Sequence, residues 1–256
     1  TAAGKEGGFF RSADRGETWV RASNYQVIDP QYYGEIYADP HCFDRIYAMD
    51  VRIQVSENGG RTFRPLRWDM HVDNHALVFD PSDPDHLLVG NDGGVYESHD
   101  NGQTWRHFTN LPTSQFYRVA LDDAKPFYNV YGGTQDNGSV AGPSRNANKV
   151  GIRTSDWIRT RGADGFQTRI DPLEPNIVYT LTQNGGLARF DKRTGKTKNI
   201  RPQQQPNEPE VRWHWDSPLI ISPHAPQRLY FAGSRLFRSD DRGESWRAVS
   251  ADLTRQ

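Results

Sequence analysis

The 256-residue chain holds a single cysteine, Cys42, so an internal disulfide framework and any multi-cysteine metal site are excluded. It has no excess of either charge. The 31 Lys and Arg face 32 Asp and Glu, for a net charge of −1. That balance argues against a basic nucleic-acid-binding surface and against an acidic solvating tail, so no nucleic-acid partner is expected. No apolar run approaches the ~18 residues that cross a bilayer, so no membrane span is expected. The opening TAAGKEGG lacks the apolar core of a signal peptide and is expected to be either an artificial boundary or a mature end. Also missing are a G-x-S-x-G elbow, a Walker loop, a dinucleotide fingerprint and an H-E-x-x-H pair. What the chain does have is aromatic residues, at 12%, against a mean hydropathy of −0.83. A polar chain this aromatic folds, because disorder goes with few aromatics. Its 23 Gly and 16 Pro are spread throughout and predict many short strands and turns.

An internal repeat organises the sequence. Ser12 to Trp19 (SADRGETW) recurs as Ser56 to Phe63, Ser98 to Trp105 and Ser239 to Trp246, with the pattern S-x-[DN]-x-G-x-[TS]-[WF]. The last interval is about three times the first two, so two copies have decayed between Trp105 and Ser239. Phe190 to Thr197 reads as a degenerate, stretched copy. A second mark fills the gap: strand-like runs end at Asp39-Pro40, Asp80-Pro81, Asp122-Asp123, Asp171-Pro172 and Ser222-Pro223, each followed by a short apolar run. Four short strands per unit of this length is the period of a β-propeller blade.

The eight-residue motif resembles the Asp-box of the BNR repeat. In that motif the acid accepts hydrogen bonds from turn amides. The glycine adopts a backbone conformation that a Cβ opposes. The aromatic packs under the turn and staples blade to blade. The boxes therefore read as marks of the fold rather than as catalytic sites. The expected fold is all-β, a propeller of four-stranded antiparallel blades with Asp-box turns between strands C and D. A half blade spans residues 7–21, and full blades span 32–66, 75–108, 115–161 (with an insertion between Ala141 and Trp157), 165–201 and 217–249. Five and a half blades leave a ring incomplete. The chain is therefore expected to belong to a larger ring of six to eight blades, and its partners to include the remaining blades or a second propeller.

Strands alternate in direction, so the D–A and B–C loops share the end of the blade opposite the Asp-boxes. Convergent polar loops on a rigid scaffold are the natural place for a site. The unusual residues fall in those loops. Tyr32 and Tyr33 form an aromatic pair. His71, Asp73 and His75 stand at i, i+2 and i+4, where an extended chain points all three to one side. They read either as a hydrogen-bond network or as three ligands for a divalent cation; no other cofactor is expected. Asp92, Gln135, Asp136 and Asn137 lie in turn-forming B–C loops and read as turn acceptors or as ligand-binding groups. Asp164 sits in a Gly-rich D–A loop. His214 is flanked by Trp213 and Trp215, a stacking platform or core. Cys42, in a turn on the Asp-box side, is not expected to act as a nucleophile.

Longer stretches, among them His71 to Leu77, Gly90 to Trp105, Tyr131 to Gly138, Thr182 to Asp191 and Leu236 to Trp246, resemble a bacterial family of BNR/Asp-box proteins labelled glycosyl hydrolase or sortilin-like. Related xyloglucanase-type enzymes pair two seven-bladed propellers around a cleft. The resemblance implies a secreted or periplasmic protein acting on or binding a polysaccharide or other glycan. If it is an enzyme, the resemblance implies a glycoside hydrolase with paired Asp carboxylates, for which Asp73, Asp136 and Asp164 are the candidates. Tyr32, Tyr33, His71, His75, Asp92, Gln135, Asn137, His214 and Trp215 are the expected ligand contacts. The alternative is a non-catalytic, sortilin-like binding propeller or a structural module. A sialidase is disfavoured, because no F/Y-R-I-P arginine motif is present. Asn74 departs from the family pattern, where a second histidine is expected.

Overall fold

A computed structural model describes residues 4–254 apart from 68, 112, 205 and 207. The architecture is all-β, a succession of propeller blades. The chain divides into two compact units, residues 1–111 and 112–256.

The first unit opens with a two-stranded half blade, β1 (Phe9–Arg11) and β2 (Val20–Ser23). Blade 2 follows as β3 (Ile36–Ala38), β4 (Ile46–Ala48), β5 (Gln54–Ser56) and β6 (Arg64–Pro65). Blade 3 is β7 (Asn74–Phe79), β8 (Leu87–Asn91), β9 (Gly94–Ser98) and β10 (Arg106–His107). The second unit holds three full blades. Blade 4 is β11 (Phe116–Leu121), β12 (Asn129–Thr134), β13 (Gly138–Pro143) and β14 (Ile158–Arg161). Blade 5 is β15 (Thr168–Ile170), β16 (Ile177–Thr182), β17 (Gly186–Asp191) and β18 (Lys196–Asn199). Blade 6 is β19 (Leu219–Ile221), β20 (Leu229–Ala232), β21 (Leu236–Ser239) and β22 (Arg247–Ala248). Each full blade is an antiparallel meander. The segment between β13 and β14 carries one 3₁₀ turn, Thr154–Asp156.

The strands alternate because the blades bury alternate residues against their neighbours. In the first unit Tyr47, Met49, Ile53 and Val55 of blade 2 pack against Leu77, Leu87, Val89 and Tyr96 of blade 3. In the second, Tyr179, Leu181 and Leu187 of blade 5 meet Leu219, Leu229 and Phe231 of blade 6.

The eight-residue turns share one hydrogen-bond scheme. The serine hydroxyl accepts from the glycine amide (Gly16, Gly60, Gly102, Gly243; 2.7–2.8 Å) and donates to the acid or amide two residues on. Asp14, Asn58, Asp100 and Asp241 in turn accept the amide of Thr18, Thr62, Thr104 and Ser245 at 2.8–3.0 Å. In the acidic copies the Thr or Ser hydroxyl also donates to the second carboxylate oxygen; at Asn58 that bond reverses, and Nδ2 donates to Thr62 Oγ1. The glycine lies at positive φ, and a Cβ on Gly243 would stand 2.5 Å from Ile200 of the preceding blade. In blades 2, 3 and 6 the preceding blade thus fills the space against the glycine, through Phe9, Leu66 and Ile200. The aromatic behaves as expected in three turns. Phe63 contacts Phe9 and Tyr25, Trp105 packs against the core of the first unit, and Trp246 Nε1 donates to Ile200 O at 2.7 Å. Trp19 does not: it is 63% exposed, because among the described residues no other blade meets its turn.

A second device ties blade to blade. The acid ending strand A accepts amides of the A–B turn, and a strand-B tyrosine stands beside it. The next blade's C–D turn sends a polar side chain to this pair. Tyr47 donates to Asn101 Oδ1 at 2.7 Å. Tyr131 and Asp122 receive Lys192, whose Nζ lies 2.5 Å from the phenol oxygen. Tyr179 and Asp171 receive Arg242, with Nε 2.7 Å from Asp171 Oδ2. Burial pushes the Tyr47 phenol up to about 12 and holds the other two higher still, so all three stay protonated donors. The degenerate copy at Phe190–Thr197 lacks the serine scheme, and its turn closes instead through Gly195 N to Asp191 O. It still supplies Lys192 to the latch.

Candidate functional site

In the first unit the loops opposite the eight-residue turns gather Tyr33, Asp73, His75 and Asp92. Tyr33 donates its hydroxyl to Asp73 Oδ1 in a short bond, and its ring stacks on His75 at 5.5 Å. His75 Nε2 is 3.0 Å from Asp92 Oδ1. The Asp73 and Asp92 carboxylates approach within 4.8 Å of one another. Burial and then the Asp73 bond raise the Tyr33 phenol well above the usual range, so it remains a donor. Tyr32 is exposed beside it, with the ring centroids 6.4 Å apart.

Of the two readings the spacing of His71, Asp73 and His75 allowed, the hydrogen-bonded one describes Asp73 and His75, and the three groups do not come together as ligand atoms. The alternation assumed an extended chain, but Asp73 has φ +65° and the pairing of β7 with β8 shifts register between Asn74 and Ala76. His71 turns to the carbonyl of Val72 and covers Gly93. Asn74 is buried and donates to the carbonyls of Asp50 and Val51, a structural role for the position where the family pattern has histidine.

In the second unit Tyr117 stacks on Phe166 at 5.1 Å with the planes 3° apart, and Trp215 meets Phe166 edge-on at 6.0 Å. Tyr117 and Trp215 are each nearly half exposed. Tyr117 donates to Gln135 Oε1 at 2.7 Å. Asp164 is buried and accepts the Asp136 amide at 2.6 Å and Gln183 Nε2 at 2.8 Å. Asn137 caps the same turn through Gln135 O, and Asp136 has φ +60°. Trp213 and Trp215 part company. Trp213 stacks on Phe231 inside blade 6 with Arg201 over its ring, whereas Trp215 faces outward. His214 is exposed and bonds within its own loop to Asp216.

Tyr117, Phe166 and Gln183 are not among the contacts expected from the sequence. A bulge explains the first. The pairing of β11 with β12 slips between Phe116 and Arg118, which frees Tyr117 from the alternation of its strand. His75 stands at the equivalent slip of blade 3. In both blades the slipped residue carries a ring, stacks on an aromatic of a D–A loop, and hydrogen-bonds a B–C loop residue, Asp92 or Gln135.

A family model for the BNR/Asp-box repeat matches residues 96–107, the third of the four turns. The chain carries the BNR/Asp-box repeat. Its four Asp-boxes share the geometry described above, with Asn58 in place of the acid in one. No curated protein matches the chain. Similar solved structures include the GH74 xyloglucanase from Xanthomonas campestris, at 20% identity over 96% of this chain and 42% of that one, with a TM-score of 0.39. A GH74 enzyme from Niastella koreensis is 14% identical over 94% of this chain and 42% of its own, with a TM-score of 0.37. YCF48 bound to D1 peptide is 13% identical, covering 88% of this chain and 82% of that one, with a TM-score of 0.30. The Asp-box chain thus spans about two-fifths of the length of the two GH74 structures. No helix among its described residues is long and apolar enough to cross a membrane.

Proposed function

We propose that this propeller binds a carbohydrate chain at its D–A and B–C loops. The observation that carries the reading is the half-exposed stack of Tyr117 on Phe166 with Trp215 at its edge, bordered by Gln135 and by the loop that Asp164 braces. Flat aromatic faces accept the apolar face of a pyranose ring, and neighbouring amides and carboxylates accept its hydroxyls. Asp164 fits a bracing role better than a catalytic one, since the Asp136 amide and Gln183 occupy its oxygens. An exported home goes with a polysaccharide ligand.

A second reading, glycoside hydrolysis, is favoured by one observation in the first unit. Asp73 and Asp92 stand within 4.8 Å, close to the ~5 Å separation of retaining glycosidases, and Tyr33 bonds Asp73. Affinity electrophoresis against plant and microbial polysaccharides, run beside an assay for released oligosaccharide, tests both. Retardation that Trp215→Ala and Tyr117→Ala each weaken about tenfold, or about 1.4 kcal/mol, supports the platform. Release that Asp73→Asn abolishes moves the function to hydrolysis. Absence of both retardation and release, in folded protein, removes the carbohydrate reading.

A further inference from the structure

The Asp-box end of blade 3 gathers side chains that the loop site does not use. Glu97 and His99 lie two residues apart along β9 and its extension, so they share one face of the blade. Since Leu87 pairs with Ser98, His86 comes opposite His99 across the ladder. The rings of His86 and His99 stack at 4.4 Å, 14° from parallel. His86 Nε2 lies 3.2 Å from Glu97 Oε1, and His99 Nε2 lies 3.4 Å from Glu97 Oε2. These three donor groups fall within 4.8 Å of one another.

We propose that His86, Glu97 and His99 form a binding site for a divalent transition cation of the Zn²⁺ class. Two imidazoles and a carboxylate are the donor set that such ions take, with a fourth position left for water or a ligand. The other nitrogen of His86 is held by a carboxylate, with Nδ1 3.1 Å from Asp80 Oδ2. A carboxylate on one ring nitrogen fixes the ring with its other nitrogen toward Glu97, the arrangement that orients metal-bound histidines. Glu97 is nearly buried, and His99 is exposed enough to swing its Nε2 into line. Arg106 bonds Glu97 from a largely exposed position, so a bound cation would have to displace it. A hollow of about 360 Å³ adjoins Glu97 and His99, and the buried indole N–H of Trp105, which lines it, has no hydrogen-bond partner. That donor is suited to a metal-bound water or anion. The site lies at the opposite end of the blade from the carbohydrate loops and does not depend on them.

Isothermal titration of the whole chain with Zn²⁺, with visible absorption of bound Co²⁺ as a second probe, tests the proposal. One saturable equivalent is expected, with a Co²⁺ spectrum of low coordination number. His99→Ala, an exposed change that leaves the core intact, should weaken binding at least tenfold. Asp80→Asn, which keeps the turn bonds but weakens the hold on His86, should weaken it about tenfold. Absence of saturable uptake overturns the proposal. So does unchanged affinity in folded His99→Ala, which would place the ion elsewhere.

Discussion

At the residue scale, the latch between blades concentrates the most consequential contacts. Asp171 is fully buried and accepts two backbone amides, Tyr179 and the Arg242 guanidinium. Burial opposes its charge, yet those bonds win and hold its carboxyl below the usual range. Arg242→Ala removes a charge-assisted bond and is expected to destabilise the protein by about 2–3 kcal/mol, read as a lowered midpoint in urea denaturation with unchanged slope. Asp171 was legible in the sequence as a punctuation mark closing strand A. Arg242 was legible only as a variable position of the Asp-box. That the two meet, 71 residues apart, follows from the stacking of blades and is written in neither segment.

At the element scale, the Asp-box is a turn whose glycine serves two purposes. Gly243 holds φ +86° and leaves room for Ile200 of the preceding blade. Gly243→Ala adds backbone strain to a 2.5 Å clash and is expected to cost about 1–3 kcal/mol, measured as a drop in thermal midpoint. Gly195→Ala, with positive φ but nothing within 4 Å, should cost less. The sequence displayed this motif fully, because its bonds close within eight residues. The bulges at His75 and Tyr117 were hidden from it. A one-residue slip reverses the side of every later side chain, and no local pattern marks it.

At the scale of the whole molecule, carboxylates placed in turns make stability acid-sensitive. The Asp-box hydroxyls and amides hold Asp14 and Asp100 down to about 2, against an ordinary 3.8. A folded value below the unfolded one stabilises above the unfolded value and loses that contribution as pH falls through the folded one. Through these carboxylates stability is therefore expected to decline as pH falls from about 4 toward about 2. Asp14→Asn, which copies the natural Asn58 turn, should flatten part of that decline in thermal melts across this range. A decline equally steep in the variant would show that the Asp14 turn does not contribute.

The sequence by itself determined the blade. Repeat length, turn residues and strand alternation are local properties, and each blade obeys them in isolation. It also placed Tyr33, Asp73, His75, Asp92, Gln135, Asp136 and Asp164 in the loops at one end of the blades. Only the tertiary structure decided what those residues do there. A left-handed Asp73 and a slipped strand separate His71 from His75, and Asp164 is taken up in bracing the Asp136 turn. Phe166 joins Tyr117 from another blade, Trp215 faces outward while Trp213 turns in, and His86 comes to lie opposite His99. The reason is physical. Backbone hydrogen bonding and short-range pattern build a strand, but the direction of a side chain at a loop or bulge is set by the groups packed around it. Those come from segments tens of residues away.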